Sequence, residues 1–262
     1  MPAIQVISRK RHALQRWQRY TSYAFAAHQA VVPLAAAELP KAAMSLPLAF
    51  IAQQGAFVPV AVLGLQAGSN LWVGADGRWA GAYIPAALRG HPFQLEQAED
   101  GQQVLCIDEK SGLLTAGPEG ERFFNDDGQP AQATLDILKF LTQTAQSLAV
   151  AAAACAALAR HQLIRPWPIT LQNEGGEQQI GGLFQVDEAA LNQLPGEALQ
   201  ELARAGALGV AYCQLLSMQN LPQLGQLARA RAQAAAPAPT PARDLDLEFL
   251  STSGTIGFGK LF

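Results

Sequence analysis

Charge is scarce in this sequence: Asp, Glu, Lys and Arg make up 15 % of its 262 residues, against roughly a quarter in an average globular domain. Alanine and glutamine take the place that charge usually holds, and half of the chain is hydrophobic, which reads as a sizeable core under a helix-rich surface. Cysteine is nearly missing as well. Cys106, Cys155 and Cys213 are odd in number, far apart and without C-x-x-C spacing, which excludes a disulfide framework and gives no zinc or redox motif. They read as small buried hydrophobes of a reducing compartment. Long apolar runs are missing too: the longest, residues 148–159, is twelve residues, short of the roughly 20 that a membrane helix needs. The expectation is therefore a soluble protein without a transmembrane span. The four histidines, His12, His28, His91 and His161, have no partner at ligand or triad spacing, and no G-x-S-x-G, H-E-x-x-H or Walker pattern occurs. These absences leave catalytic residues unknown and lead us to expect no metal and no cofactor.

The charge that is present is unevenly spread. Of the 18 basic residues, five (Arg9, Lys10, Arg11, Arg16 and Arg19) fall in the first twenty positions, where there is no carboxylate, leaving 13 basic against 21 acidic groups elsewhere. A basic head of this kind can touch phosphate or anionic lipid, but around Trp17 and Tyr20 it reads as a solvated, partly helical arm, residues 1–20. An acidic body gives no reason to expect nucleic acid. Arg9 to Arg11 also precede an alanine-rich stretch ending in Ala35-Ala36-Ala37, which imitates an export signal. His28, Gln29 and Pro33 interrupt it and the basic region starts late, so a cytoplasmic location is expected.

From residue 46 to 124 the texture is that of strands: 46–51, 58–65, 71–73, 93–95, 104–107 and 122–124 are short apolar or alternating runs separated by turn residues. Asp76-Gly77 and Asp126-Asp127-Gly128 are turns, because glycine takes the positive φ that a turn demands. The loop at Asn125 to Gly128 lacks the alternate carboxylates and distal glutamate of a calcium loop. Thr134 is a candidate cap for a long helix that runs through Leu135, Leu138, Leu141 and Leu148 to His161. An extended segment 163–171 then turns at Gly175-Gly176, and 180–186 pairs back. Asp187 caps a short helix, 197–218 reads as one long helix, and 221–235 as another. Pro237, Pro239 and Pro241 make 236–243 a stiff, uncored linker, beyond which the tail opens on Asp244 and closes on Phe262. Altogether this predicts an α+β fold: a strand-rich N-terminal half packed against alanine-rich helices, one domain over 1–235, then linker and tail 244–262.

One stretch concentrates recognition chemistry. Trp72, Trp79, Tyr83, Arg89 and His91 lie within two dozen residues, and guanidinium beside aromatic rings can hold a planar or anionic ligand. The same residues could equally knit one loop-rich corner of the sheet, since aromatic side chains pack before they do anything else. Cys106 and Asp108 suggest a nucleophile and a carboxylate, yet no base is supplied for the thiol.

The order of landmarks is similar to that of the SapC-like family of bacterial proteins, over residues 23–224. Tyr23-Ala24-Phe25-Ala26, Val32-Pro33-Leu34 with Glu38, and Leu46-Pro47-Leu48-Ala49-Phe50 begin it. Asn70-Leu71-Trp72, Asp76-Gly77-Arg78-Trp79, Tyr83-Ile84-Pro85, Arg89 and Pro92-Phe93 are its most distinctive part. Cys106-Ile107-Asp108, Phe123-Phe124 with Asp127-Gly128, Leu163-Ile164, Trp167-Pro168-Ile169, Gly182-Leu183-Phe184 and Val186-Asp187 continue it. Leu39 and Leu48 depart from the pattern, and the linker with its tail looks like an extension. The resemblance implies an association with a bacterial surface layer and no agreed reaction. The leading expectation is a non-enzymatic surface-layer-related or accessory binding protein with an unknown small-molecule or protein partner. The alternative is an enzyme, or an accessory of one, acting on a peptide or small aromatic metabolite with Arg89, His91, Cys106 and Asp108 in one pocket. The tail 244–262 is a candidate docking peptide or surface-export signal.

Overall fold

A computed structural model describes residues 2–98, 101–173 and 176–235; the linker, the tail and Gly175 of the expected turn lie outside them. The chain begins with β1 (Ile4–Val6), α1 (Arg9–His12), β2 (Arg16–Trp17), β3 (Val31–Pro33), α2 (Leu39–Ala43), β4 (Leu48–Gln53) and β5 (Ala56–Val62). Next come α3 (Ala86–Arg89), β6 (Phe93–Gln97), β7 (Gln103–Asp108), β8 (Leu114–Thr115) and β9 (Glu121–Arg122), which lead into α4 (Gln132–Arg160). After it run β10 (Ile164–Pro166), β11 (Ile169–Asn173), β12 (Gly176–Ile180) and β13 (Phe184–Val186). Helices α5 (Glu188–Asn192), α6 (Gly196–Arg204), α7 (Ala207–Ser217) and α8 (Leu221–Ala235) follow. The fold is α+β, as its sequence predicts.

The largest sheet has the order β10-β13-β4-β5-β3, with every pairing antiparallel. Its central hairpin, β4–β5, turns at Gln54-Gly55, both at positive φ (51° and 79°), the combination a tight two-residue hairpin requires. Leu48, Ala49 and Phe50 are buried in succession, so this strand is covered on both faces, where alternation would have left one face wet. Helices α4 and α7, packed on each other, lie on β5 and β4 respectively. Between β13 and β4 the ladder has only the Phe184–Phe50 pair. Buried Gln214 of α7 closes the gap, accepting from the Val186 N–H and donating to the Leu48 carbonyl, while Ser217 accepts the Leu48 N–H. A buried amide satisfied on both ends fixes the register of two strands at once.

Two hydrophobic clusters result. The large one gathers Leu48, Phe50, Leu63, Trp72, Leu158, Leu163 and Leu202 between sheet and helices. The smaller one consists of Trp17, Phe93, Ile107 and Phe123, and over it lie the ladders β1-β7-β6 and β8-β2-β9. Helix α4 serves both: Ala133, Ile137 and Leu141 near its start pack on the small cluster, and Ala154, Cys155, Ala157 and Leu158 belong to the large one. By length and composition this helix could cross a membrane, and 28 % of its most apolar stretch is buried here; the inner face packs on β5 and α7.

Four local expectations are corrected. The first twenty residues are not a solvated arm, because β1 pairs with β7, β2 is held between β8 and β9, and Trp17 is buried. Helix α4 starts after Ala131, and Thr134 lies inside its first turn, donating its hydroxyl to the Phe123 carbonyl. The single helix over 197–218 is two helices, broken at Gly206 with φ 68°; a left-handed residue ends one helix and only glycine adopts it at little cost. Residues 71–73 form no strand, only an isolated Val73–Trp79 bridge. Asp187 does cap its helix, accepting from the Ala190 N–H at 3.1 Å.

Candidate functional site

The aromatic corner is built on a loop that its own polar groups hold in shape. Buried Asn70 donates to the Ala26 carbonyl and accepts the Trp72 N–H, so one amide joins the loop to the preceding segment. Gly77, at φ 76°, turns the chain, and its carbonyl accepts the Tyr23 N–H. Trp72 and Trp79 then stack, 6.2 Å between centroids and 19° between planes. Gly81 sits against both: a Cβ there would fall 2.8 Å from Trp79 Nε1 and 2.9 Å from Trp72 Cε3. Trp79 is oriented by donating its Nε1–H to the Tyr83 carbonyl at 2.9 Å.

Beneath the corner lies a buried carboxylate. Glu38 accepts three hydrogen bonds, from the Ala35 N–H (2.9 Å), the Tyr83 hydroxyl (2.8 Å) and the Ala86 N–H (2.7 Å). Burying an ion is costly unless it is paired and hydrogen-bonded, and here the charge also faces the Arg89 guanidinium, 3.9 Å away. Arg89 Nη2 lies 3.4 Å from the Tyr83 hydroxyl, so a chain of donors runs from Arg89 through Tyr83 to Glu38. The guanidinium lies over Phe140 of α4 (5.3 Å) and Tyr83 (5.9 Å). Its side chain is 43 % exposed. Among the described residues, Nε and Nη1 of Arg89 have no protein partner.

Further rings extend this surface. Tyr23 lies 5.7 Å from Trp79, Tyr20 is edge-on to Tyr23 and Phe25, and Phe25 stacks on His91 at 3.8 Å and 10°. Tyr20, Tyr23, Phe25, Trp79, Tyr83 and His91 are all half-buried, so part of each reaches the surface. Burial, reinforced by Tyr23, pushes the Tyr20 hydroxyl up to about 12, against the pull of Arg89. Burial and then the bond to Glu38 likewise raise Tyr83. His91 is held below its ordinary value because burial outweighs the opposing pull of Asp108. At neutral pH the surface thus carries phenols, a neutral imidazole and the Arg89 cation.

Of the five candidates, Trp79, Tyr83 and Arg89 are in contact with one another or through one shared partner. Trp72 is wholly buried under Trp79 and acts from below. His91 joins through Phe25 and Tyr20. Arg89, His91, Cys106 and Asp108 do not form a common set. Asp108 is engaged with the Ala3 and Lys110 N–H groups. Cys106 is buried, with Val104 and Glu96 as its polar surroundings, and burial raises its thiol away from the nucleophilic thiolate. No group of three or more His, Cys, Asp or Glu among the described residues could hold a metal. Glu38 is the residue that composition and spacing pass over, and the signal was there: a lone carboxylate among alanine, leucine and proline has to find buried donors.

Two of the clefts on the described surface are lined by none of Trp79, Tyr83, Arg89 and His91. The first, about 410 Å³, runs along the other side of the loop, past Val73, Gly74, Ala75 and Gly77, with His28 and Arg231. Arg231 straps α8 to that loop by bonding the Ser69 hydroxyl and the Val73 carbonyl.

The loop, the Glu38 anchor and both clusters fall inside the stretch matched by the family model for SapC, residues 7–224. This chain belongs to the SapC family. No curated protein and no solved structure matches it. The SapC match starts at residue 7, earlier than the landmarks from Tyr23 onward suggest, and so takes in the N-terminal segment that the fold weaves into its second cluster. It ends within α8, ahead of the linker and tail.

Proposed function

We propose that this SapC protein is a non-enzymatic accessory binding protein, surface-layer-related as its kinship suggests, whose Trp79, Tyr83, Arg89 and His91 face receives a planar anionic group of a partner. The observation that carries this reading is Arg89. Its guanidinium is half exposed and pinned on one side by Tyr83 and Glu38, it is bordered by rings, and it keeps N–H donors with no protein acceptor among the described residues. A guanidinium held in place loses little entropy when it forks onto a carboxylate, and neighbouring rings add stacking area. The neutral His91 and the raised phenols add no competing anion.

Benzoate, planar and anionic, is a suitable probe. Titrated into the folded protein, it should quench tryptophan fluorescence saturably. Arg89→Ala should abolish the effect, and Arg89→Lys should restore only part of it, because lysine lacks the fork. Benzylamine should leave the spectrum unchanged. A wild-type protein that shows no saturation, or an Arg89→Ala protein that responds like wild type, refutes the assignment.

A further inference from the structure

A second site is indicated where the N-terminal segment crosses the β8-β2-β9 ladder. In that ladder Arg16 stands directly opposite Arg122. Trp17, the next residue, points into the core, so strand alternation sends Arg16 outward. Like charges facing each other across a strand pair destabilise it.

The carboxylates that could neutralise this corner are mostly used elsewhere. Glu109 binds Arg11, and Glu121 binds Arg19. Arg16 donates to the Gly120 carbonyl, and Arg122 pairs with Asp126, a residue 92 % exposed. Arg9 has neither an ion pair nor a hydrogen bond from its side chain among the described residues. Its guanidinium lies against Gly128, where a Cβ would come within 2.2 Å of Nη2, so the glycine of the Asp126-Asp127-Gly128 turn makes room for it. Arg9, Arg16 and Arg122 line one open cleft of about 390 Å³ with Asp126 at its edge. Three cations against one carboxylate leave a surplus of two positive charges on a protein whose net charge is −3.

The remaining walls are apolar or amide. Ala13, Leu14 and Phe124 line the cleft, and Leu14 is 92 % exposed. Gln15 also lines it and has a buried amide oxygen without a partner; flipping that amide would present N–H donors at the same place.

We propose that this cleft binds a phosphate-type dianion carried by a molecule with an apolar part. Two surplus charges match a dianion, guanidinium forks suit its several acceptor oxygens, and a bound anion would relieve the Arg16–Arg122 repulsion. The source is either a soluble phosphate ester or the headgroup of an anionic lipid.

The test uses the full chain with inorganic phosphate as probe, against chloride at equal ionic strength. Phosphate should raise Tm saturably, and Arg9→Gln and Arg122→Gln should each weaken its apparent affinity by roughly tenfold or more, the loss expected for a charge-assisted hydrogen bond. Arg122→Gln should leave the phosphate-free Tm unchanged or higher, a result that a purely structural arginine would not give. Arg89→Ala should leave the phosphate response intact, which separates this site from the aromatic face. Flotation with vesicles of phosphatidylcholine plus phosphatidic acid, and not with phosphatidylcholine alone, assigns the site to a lipid headgroup. Phosphate binding without flotation assigns it to a soluble ester. A Tm rise equal in chloride, or variants that bind phosphate like wild type, overturn the proposal.

Discussion

The Glu38 anchor gives the sharpest stability prediction. Replacing Glu38 by alanine removes the acceptor for three donors. Two of these, the N–H groups of Ala35 and Ala86, belong to residues only 3 % and 4 % exposed, so water cannot easily replace the carboxylate. An orphaned buried donor costs about 1–3 kcal/mol, and two of them about 4 kcal/mol in all. Tyr83 and Arg89 are discounted because both reach solvent. Tyr83→Phe, by contrast, removes one donor and leaves Glu38 with its two backbone bonds, a loss of about 1 kcal/mol. Glu38→Gln should fall between them, at about 2 kcal/mol, since an amide can keep an oxygen toward Tyr83 and Ala86 but then turns its NH₂ toward the Ala35 N–H. Urea unfolding with an unchanged m-value checks the order Glu38→Ala, Glu38→Gln, Tyr83→Phe. If Glu38→Ala lost less than about 1 kcal/mol, or less than Tyr83→Phe, the carboxylate would not be the anchor described here.

Other consequences can be measured separately. His12 is buried and its Nδ1 accepts the Ser8 N–H; burial holds its pKa below 6.5 although Glu109 pulls the other way and Arg11 pulls with it. The neutral form is therefore the stable one: stability is complete above about pH 6.5 and falls as pH drops through the depressed folded value. His12→Asn, which keeps an acceptor near Nδ1, should flatten the urea midpoint between pH 7.5 and 5.5, and an unchanged slope would count against His12 as its source. Gly81→Ala should force Trp79 away from the Tyr83 carbonyl, cost about 1–3 kcal/mol as overpacking does, and shift tryptophan emission to the red; an unaltered spectrum would contradict the contact. Iodoacetamide at neutral pH should leave Cys155 unmodified in the native state, where burial lifts its thiol to about 12, and reach partly exposed Cys213 first; peptide mass spectrometry with early Cys155 labelling would refute this.

Strands β4 to β7, the α4 helix, the Gly77 and Gly128 turns and the Asp187 cap were readable because each depends on residues within a few positions of one another. The Gly206 break was present in the sequence as a glycine, but alanine and leucine favour helix on both sides of it, so composition conceals the interruption. The folded N-terminal segment was not readable. Five cations with no carboxylate look solvated, while the groups that engage Arg11, Arg16 and Arg19 lie about a hundred residues away. At the aromatic face, composition picked out Trp72, Trp79, Tyr83, Arg89 and His91 together, yet could not distinguish buried Trp72 from the half-exposed others.

Residue order alone determined the α+β class, the turn positions and the kinship, because propensity, periodicity and motif order act over short distances. Tertiary structure alone decided that Glu38 would be buried beneath Tyr83 and Arg89, that Arg16 would oppose Arg122, and that Trp72 would face inward. These depend on which distant segments meet, and a carboxylate or guanidinium acquires its role from the donors, rings and charges that such a meeting places within a few ångströms of it.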